Sequence, residues 1–339
     1  MNHTLQHRIN SGFKFLLTVF VATFALTVCS VAGTADPLPS WNEGPAKKSI
    51  LEFVAAVTDK NSKDYVVPAK RIATFDNDGT LWVEYPIYTQ VLFAIDRIKK
   101  LAPQHPEWKT EQPFKALLEG DMKTVGASGM KGVTQIIMAS HAGMAGDEFS
   151  QEVSKWFETS KQPRFDRLYK ECIYQPQLEL LAYLRANDFK TFIVSGGGIQ
   201  FMRPMTMKAY GIPPWQVVGS SVVSEFKSEG GTDVVRKPKI DFIDDKTGKP
   251  VGIYEHIGVR PILAFGNADA DMQMIEYAKA GKGRTLGLFV HHTDAEREYA
   301  YDRKSHVGVL NKVLDQAAAK DWIIVDMKKD WKQIFPAKQ

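Results

Sequence analysis

Cysteine is nearly absent from this chain. Of 339 residues two are cysteines, Cys29 and Cys172, and Cys29 falls inside an apolar N-terminal stretch. A disulfide framework is therefore excluded for the rest of the chain, and Cys172 reads as a small buried apolar residue. Long basic runs are missing as well. The 43 basic and 39 acidic side chains are interspersed, which leaves no footprint for a polynucleotide partner. There are no internal repeats and no low-complexity tract. With 44% hydrophobic and 24% charged residues, the chain is neither fibrous nor disordered. Its length suits one large domain or a domain carrying an insertion.

One long apolar run is present. Arg8 and Lys14 precede uncharged residues from Phe15 to about Val31, followed by small residues ending at Gly33-Thr34-Ala35. Basic end, apolar core and small-residue site are the order of a secretory leader cleaved near Ala35. The reading predicts an exported, periplasmic chain without stable membrane association. A retained anchor is the competing reading, because 17 residues approach the lower limit of a membrane span; the polar segment from Asp36-Pro37 favours cleavage. A lipoprotein reading of Cys29 is weakened by Val28, which is larger than such processing favours. Arg8 and Lys14 are the only charges before Asp36, so the remaining chain carries a net +2.

Hydrophobic periodicity places a helix over Lys47–Val57 and a short buried strand at Arg71–Phe75 that stops at Asp-Asn-Asp-Gly-Thr. Residues 87–176 read as mostly helical, interrupted by Pro103, Pro106 and Pro113, with no convincing strand. Alternation then returns: helix Gln177–Ala186, strand Thr191–Ser195 and a helix to Tyr210. Strands at Gln216–Val223, Pro261–Phe265 and Thr285–Val290 follow, with a helix Met272–Ala280 between the last two. Between them, Glu229–Thr232 and Asp244–Gly248 read as turns of an irregular or hairpin excursion. Strands alternating with helices imply a parallel sheet covered on both faces. The helical stretch is too long for a crossover and reads as an insertion.

Polar clusters sit directly after three of these strands: Asp76, Asp78 and Thr80; Ser195 with Gly196, Gly197 and Gly198; and Asn267, Asp269 and Asp271. In an open parallel sheet ligands bind at the carboxyl ends of strands, so the three clusters should meet. Lys249, in Gly-Lys-Pro-Val-Gly, opens a short helix 18 residues before Asn267. This ordered set resembles the haloacid dehalogenase superfamily of phosphohydrolases, in its phosphoserine phosphatase-like branch, over nearly the whole chain after the leader. Asp76-Asn-Asp-Gly-Thr80 fits that family's Asp-x-Asp-x-Thr without change. Gly266-Asn-Ala-Asp-Ala-Asp271 departs from the usual Gly-Asp-x-x-x-Asp, because Asn267 replaces a carboxylate. For the lysine, Lys237 and Lys239 compete with Lys249, which is favoured by its spacing.

The resemblance implies an α/β fold: a Rossmann-like parallel sheet with helices on both faces and an inserted, mainly α-helical cap. The core would comprise residues 36–86 and 177–339, and the cap 87–176. It implies a magnesium-dependent phosphatase acting on a small phosphate monoester through an aspartyl phosphate. A phosphate dianion repels a carboxylate nucleophile, so a cation must neutralise it. Magnesium takes a few oxygen ligands, here Asp76, the Asp78 carbonyl, Asn267 and Asp271. Asp76 is the implied nucleophile and Asp78 the implied acid and base. Thr80, Ser195, the glycine amides and Lys249 would hold the phosphate. A phosphotransferase on the same scaffold, or a periplasmic phosphate-ester binder without turnover, are the alternatives.

Bland readings stand beside these. Asp-x-Asp-Gly also occurs in calcium loops, but those need glycine at the sixth position, where this chain has Leu81 and, in the second segment, Met272. Glu84, Tyr85 and Tyr88 fall where the family's cap hinge begins. Arg203 could meet a substrate anion or form a surface ion pair, and His141 could line the cap face. His291 and His292 beside Asp294 lack a third ligand spaced for zinc. Trp322, Trp331 and Phe335 read as packing residues.

Overall fold

Four consecutive buried residues, Ile72–Phe75, form the first strand, β1. An apolar run without alternation belongs to a strand covered on both faces. The computed structural model describes residues 35–140, 144–229 and 233–338; residues 1–34 of the candidate leader and His141 lie outside them. No helix among the described residues is long and apolar enough to cross a membrane.

The other strands are β2 (Lys161–Gln162), β3 (Arg167–Leu168), β4 (Lys190–Gly198), β5 (Val217–Lys227), β6 (Asp233–Phe242), β7 (Leu263–Gly266), β8 (Leu286–Thr293), β9 (Ala300–Tyr301) and β10 (Ile323–Asp326). The main sheet runs β10-β8-β7-β1-β4-β5-β6, with β9 on β8. Pairings from β10 across to β5 are parallel, whereas β5–β6 and β8–β9 are antiparallel. The excursion after β5 is thus a long hairpin. Chain order runs outward from β1 to β4 on one side and returns to β7 on the other. That reversal makes β1 the point where a ligand crevice opens.

Helices on the sheet are α1 (Pro45–Thr58), α7 (Gln175–Ala186), α8 (Ile199–Tyr210), α9 (Gly248–Gly252), α10 (Met272–Lys279), α11 (Lys312–Lys320) and α12 (Met327–Asp330). Helix α1 buries Ile50, Phe53, Val54 and Val57 on one stripe, each contributing roughly 1.5–3 kcal/mol of transfer free energy. Between β1 and β4 lie α2 (Thr89–Leu101), α3 (Phe114–Glu119), α4 (Met122–Ala127), α5 (Gly129–Ala139) and α6 (Gly146–Thr159). Ile98, Leu117, Val125 and Ile136 of α2–α5, with Trp108 from the turn after α2, form an apolar cluster of their own, while Phe149, Val153 and Trp156 of α6 join the main core. The chain enters and leaves this segment side by side: Val83 N donates to Cys172 O at 3.1 Å and Tyr174 N to Leu81 O at 2.9 Å.

Three sequence expectations need correction. The segment contains a two-residue hairpin, β2–β3, too short to give an alternating pattern. The edge strand β6, inside the excursion between the expected turns, gives no strand signal because Arg236 is its one buried residue. Strand β10, read as packing residues around Trp322, is only four residues long. Cys172 is buried as expected, and burial pushes its thiol up to about 12.

Candidate active site

The carboxyl ends of the adjacent strands β7, β1 and β4 bring the three polar clusters together. Asp76 follows β1, and its amide donates to Phe265 O of β7 at 2.9 Å. Lys249 Nζ donates to Asp76 Oδ1 at 2.7 Å, to Asp271 Oδ1 at 2.5 Å and to Val194 O at 3.0 Å. Lys249 is wholly buried. An ammonium can sit there only because two carboxylates and a carbonyl replace its water. Those carboxylates hold it in its charged form, against the effect of burial. Its competitor Lys237 is half-exposed on the β5–β6 hairpin and pairs with Glu225.

Asp271 is held from the other side, its Oδ2 accepting from the amides of Asn267 (2.9 Å) and Ala268 (3.0 Å). Asp269 instead accepts from the amides of Asn311, Lys312 and Val313, outside the cluster. Asp78 Oδ1 accepts from Trp82 Nε1 at 2.9 Å. A methyl group built on Gly197 would lie 3.5 Å from Asp78 Oδ2 and 3.6 Å from Ser195 Oγ, so these three groups are neighbours. They are placed by a bulge in β4, where Ser195 pairs with Gly219 and the next paired residue is Gly198 with Ser220. Gly196 and Gly197 are thereby looped out of the ladder, the usual way a bulge re-aims a strand beside a site. The Ser195 hydroxyl already accepts from Gly197 N at 3.3 Å.

The charge in this crevice is unbalanced. Burial raises Asp76 above the ordinary carboxylate range; Lys249 opposes this, while Asp271 and Asp78 add to it. Asp78 is pushed up to about 6, again by burial, which gives access to both protonation states near neutral pH. Glu84 is fully buried and raised well above its ordinary value by burial and then by Asp78. Asp244 is also buried, and burial pushes it up to about 7 although Lys249 draws it down. The neighbouring Ser195 amide lowers it too, without closing a hydrogen bond of good geometry. One buried lysine faces several carboxyl groups, an arrangement that a divalent cation would complement.

Glu84 accounts for the asparagine at position 267. Asn267 Nδ2 donates to Glu84 Oε1 at 2.7 Å, and Tyr301 OH donates to the same oxygen at 2.9 Å. An aspartate at 267 would oppose two carboxyl oxygens at that separation. The buried Thr80 hydroxyl donates to Asn267 Oδ1 at 3.1 Å, so the structure places it on the asparagine. His292 lies between Gly79 O (2.8 Å from Nε2) and Glu298 (3.2 Å from Nδ1), and His291 is paired with Asp302. Among the described residues no three His, Cys, Asp or Glu side chains are grouped to hold a metal. Arg203 Nε donates to Pro214 O at 2.9 Å, away from the cluster. Trp82 reaches Asp78 within the local turn, whereas Glu84 and His292 owe their site positions to contacts across the fold, which residue spacing does not signal.

Gly79 locks this assembly. It adopts φ +74°, and a Cβ there would lie 2.1 Å from Asn267 Nδ2 and 2.4 Å from Glu84 Oε1. Gly79→Ala is expected to cost at least about 1 kcal/mol from the left-handed backbone alone, with the clash added to it. Thermal unfolding should show a clear fall in Tm; an unchanged Tm would mean that the loop yields without strain.

A parallel sheet with its polar residues at the switch point defines an α/β enzyme scaffold. Residues 73–276 match the family described as haloacid dehalogenase-like hydrolase, and the chain belongs to that family. No curated protein matches it. The fold is similar to a conserved functionally unknown protein from Anaerococcus prevotii DSM 20548, at 13% identity and TM-score 0.54, covering 82% of this chain and 91% of that one. A protein of unknown function from Bordetella pertussis Tohama I aligns at 13% identity and TM-score 0.49, covering 76% and 99%. A probable phosphoserine phosphatase from Vibrio cholerae aligns at 16% identity and TM-score 0.37, covering 74% and 65%.

Proposed function

We propose that the protein is a magnesium-dependent phosphatase of small phosphate monoesters, working through an aspartyl phosphate on Asp76. The observation that carries this reading is Lys249 Nζ bridging Asp76 Oδ1 and Asp271 Oδ1 in a buried site. With Oδ1 held by the lysine, Asp76 Oδ2 is the oxygen left to attack phosphorus. The new Oδ2–P bond forms as the bond from phosphorus to the ester oxygen breaks. Asp78, its Oδ1 held by Trp82, delivers a proton from Oδ2 to the leaving oxygen. It then takes a proton from the water that hydrolyses the aspartyl phosphate. Ser195, the Gly196 and Gly197 amides and Lys249 bear on the phosphoryl oxygens, where charge must be met by fixed dipoles.

The donor set fits magnesium, which takes oxygen ligands with only one or two carboxylates. Asp76, the Asp78 carbonyl and the Asn267 side-chain oxygen would hold it, and Asp271 would act through Lys249 and the Asn267 amide. When bound it neutralises phosphate charge that would otherwise repel Asp76. Residues 87–176 form the lid in this reading, and the N-terminal leader supports export to the periplasm. The test is release of p-nitrophenol from p-nitrophenyl phosphate with magnesium and after chelation. Turnover should require the metal and return when it is restored. Absence of phosphatase activity on a panel of small monoesters with magnesium present would overturn the proposal.

A further inference from the structure

Arg236, on the hairpin strand β6, is 4% exposed. Among the described residues it has no carboxylate partner, and its Nε and Nη2 have no hydrogen-bond acceptor. These two nitrogens form one edge of the guanidinium fork, the pair that grips a carboxylate or phosphate with two parallel hydrogen bonds. The flat face is already used: the guanidinium carbon lies 3.6 Å from the centre of the Phe149 ring on α6, which fixes the plane of the fork. Burial draws Arg236 down to about 10, with no anion nearby to oppose it. A buried cation with an empty fork is costly, so the position calls for a function.

Arg236 lines a small half-open pocket of about 30 Å³, room for one small polar group, with Gln90, Gly198, Gln200, Ser220 and Ser221 among its other walls. The pocket lies where the helical segment meets the sheet, since Ala145 before α6 pairs with Val235 of β6. It adjoins the candidate phosphate site through one residue. Gly198, whose amide donates to Gln90 Oε1 at 2.7 Å, directly follows the bulged Gly197 beside Asp78.

We propose that Arg236 forms a second anion subsite, and that the substrate is a small phosphate ester carrying a further carboxylate or phosphate group gripped by this fork. The inference rests on the phosphatase reading for the site of the ester phosphate. It sets specificity by charge and shape. A ligand lacking the second anion, p-nitrophenyl phosphate included, leaves the buried fork unmatched and binds more weakly for that reason.

The test uses two esters that differ only in this group, 3-phosphoglycerate and glycerol 3-phosphate. Their binding to the full Asp76→Asn chain with magnesium is measured by calorimetry. The carboxylate ester should bind more tightly by on the order of 10–100-fold, the range of a charge-assisted pair. In the Asp76→Asn/Arg236→Met and Asp76→Asn/Arg236→Lys chains that ratio should fall toward one. The lysine keeps the charge and loses only the fork, and melting curves confirm that each variant is folded. A ratio near one in the parent chain would mean that the pocket holds only water and would overturn the subsite, whether or not the variants fold. Tight, Arg236-dependent binding of 3-phosphoglycerate with no monoester turned over by the wild-type protein would sink the phosphatase reading and leave the subsite standing. If neither ester binds, both fall.

Discussion

Replacing Asp76 with asparagine should lower turnover by on the order of 10⁴-fold or more while the protein stays folded. The size follows from losing a covalent nucleophile, whose partners cannot act without it. An amide is close in shape to the carboxylate and can still accept from Lys249 Nζ at the Oδ1 position, now 2.7 Å away. Asp271 remains to pair with the lysine at 2.5 Å, so the buried ammonium keeps an anion. Single-turnover assays with p-nitrophenyl phosphate, alongside a melting curve, would check both halves. Wild-type rates in Asp76→Asn would rule out the covalent route. A lost activity accompanied by a lost fold would leave the role to be tested by phosphoryl trapping on the wild-type chain.

Lys249→Met carries the largest stability effect. The substitution removes a wholly buried ammonium and leaves Asp76 and Asp271 facing each other without a cation. Breaking a buried pair from one side costs on the order of 3–5 kcal/mol, since the remaining charge must be protonated or rehydrated. Denaturant unfolding should show a lower midpoint, and turnover should be lost with it. The charge argument makes a further demand: Lys249→Met combined with Asp271→Asn should be more stable than Lys249→Met alone. If the double variant recovered nothing, the loss would stem from packing of the long side chain. Saturating magnesium should also recover part of the stability of Lys249→Met, because a cation in the crevice meets the same carboxylates.

The sequence by itself determined the α/β class and the order of elements around the site. Apolar runs such as Ile72–Phe75 can only be strands covered on both faces, and a helix with a buried stripe such as Pro45–Thr58 declares its period of 3.6. Polar residues placed right after strands announced a crevice, because a parallel sheet gathers its carboxyl ends on one edge. Short or edge elements escaped: Lys161–Gln162, Asp233–Phe242 and Ile323–Asp326 are brief or half-exposed, and periodicity needs length and a buried face. Spacing already favoured Lys249 over Lys237, and tertiary structure decided between them by burying Lys249 on Asp76 while Lys237 pairs with Glu225 on a half-exposed hairpin. Tertiary structure alone brought Asn267 and Tyr301, 183 and 217 residues along the chain, onto the Glu84 carboxyl, which explains why an asparagine stands at position 267. The fork of Arg236 is likewise a product of packing: its emptiness lies in the absence of an acceptor among the described residues, and a linear sequence carries no record of which groups are left unmatched.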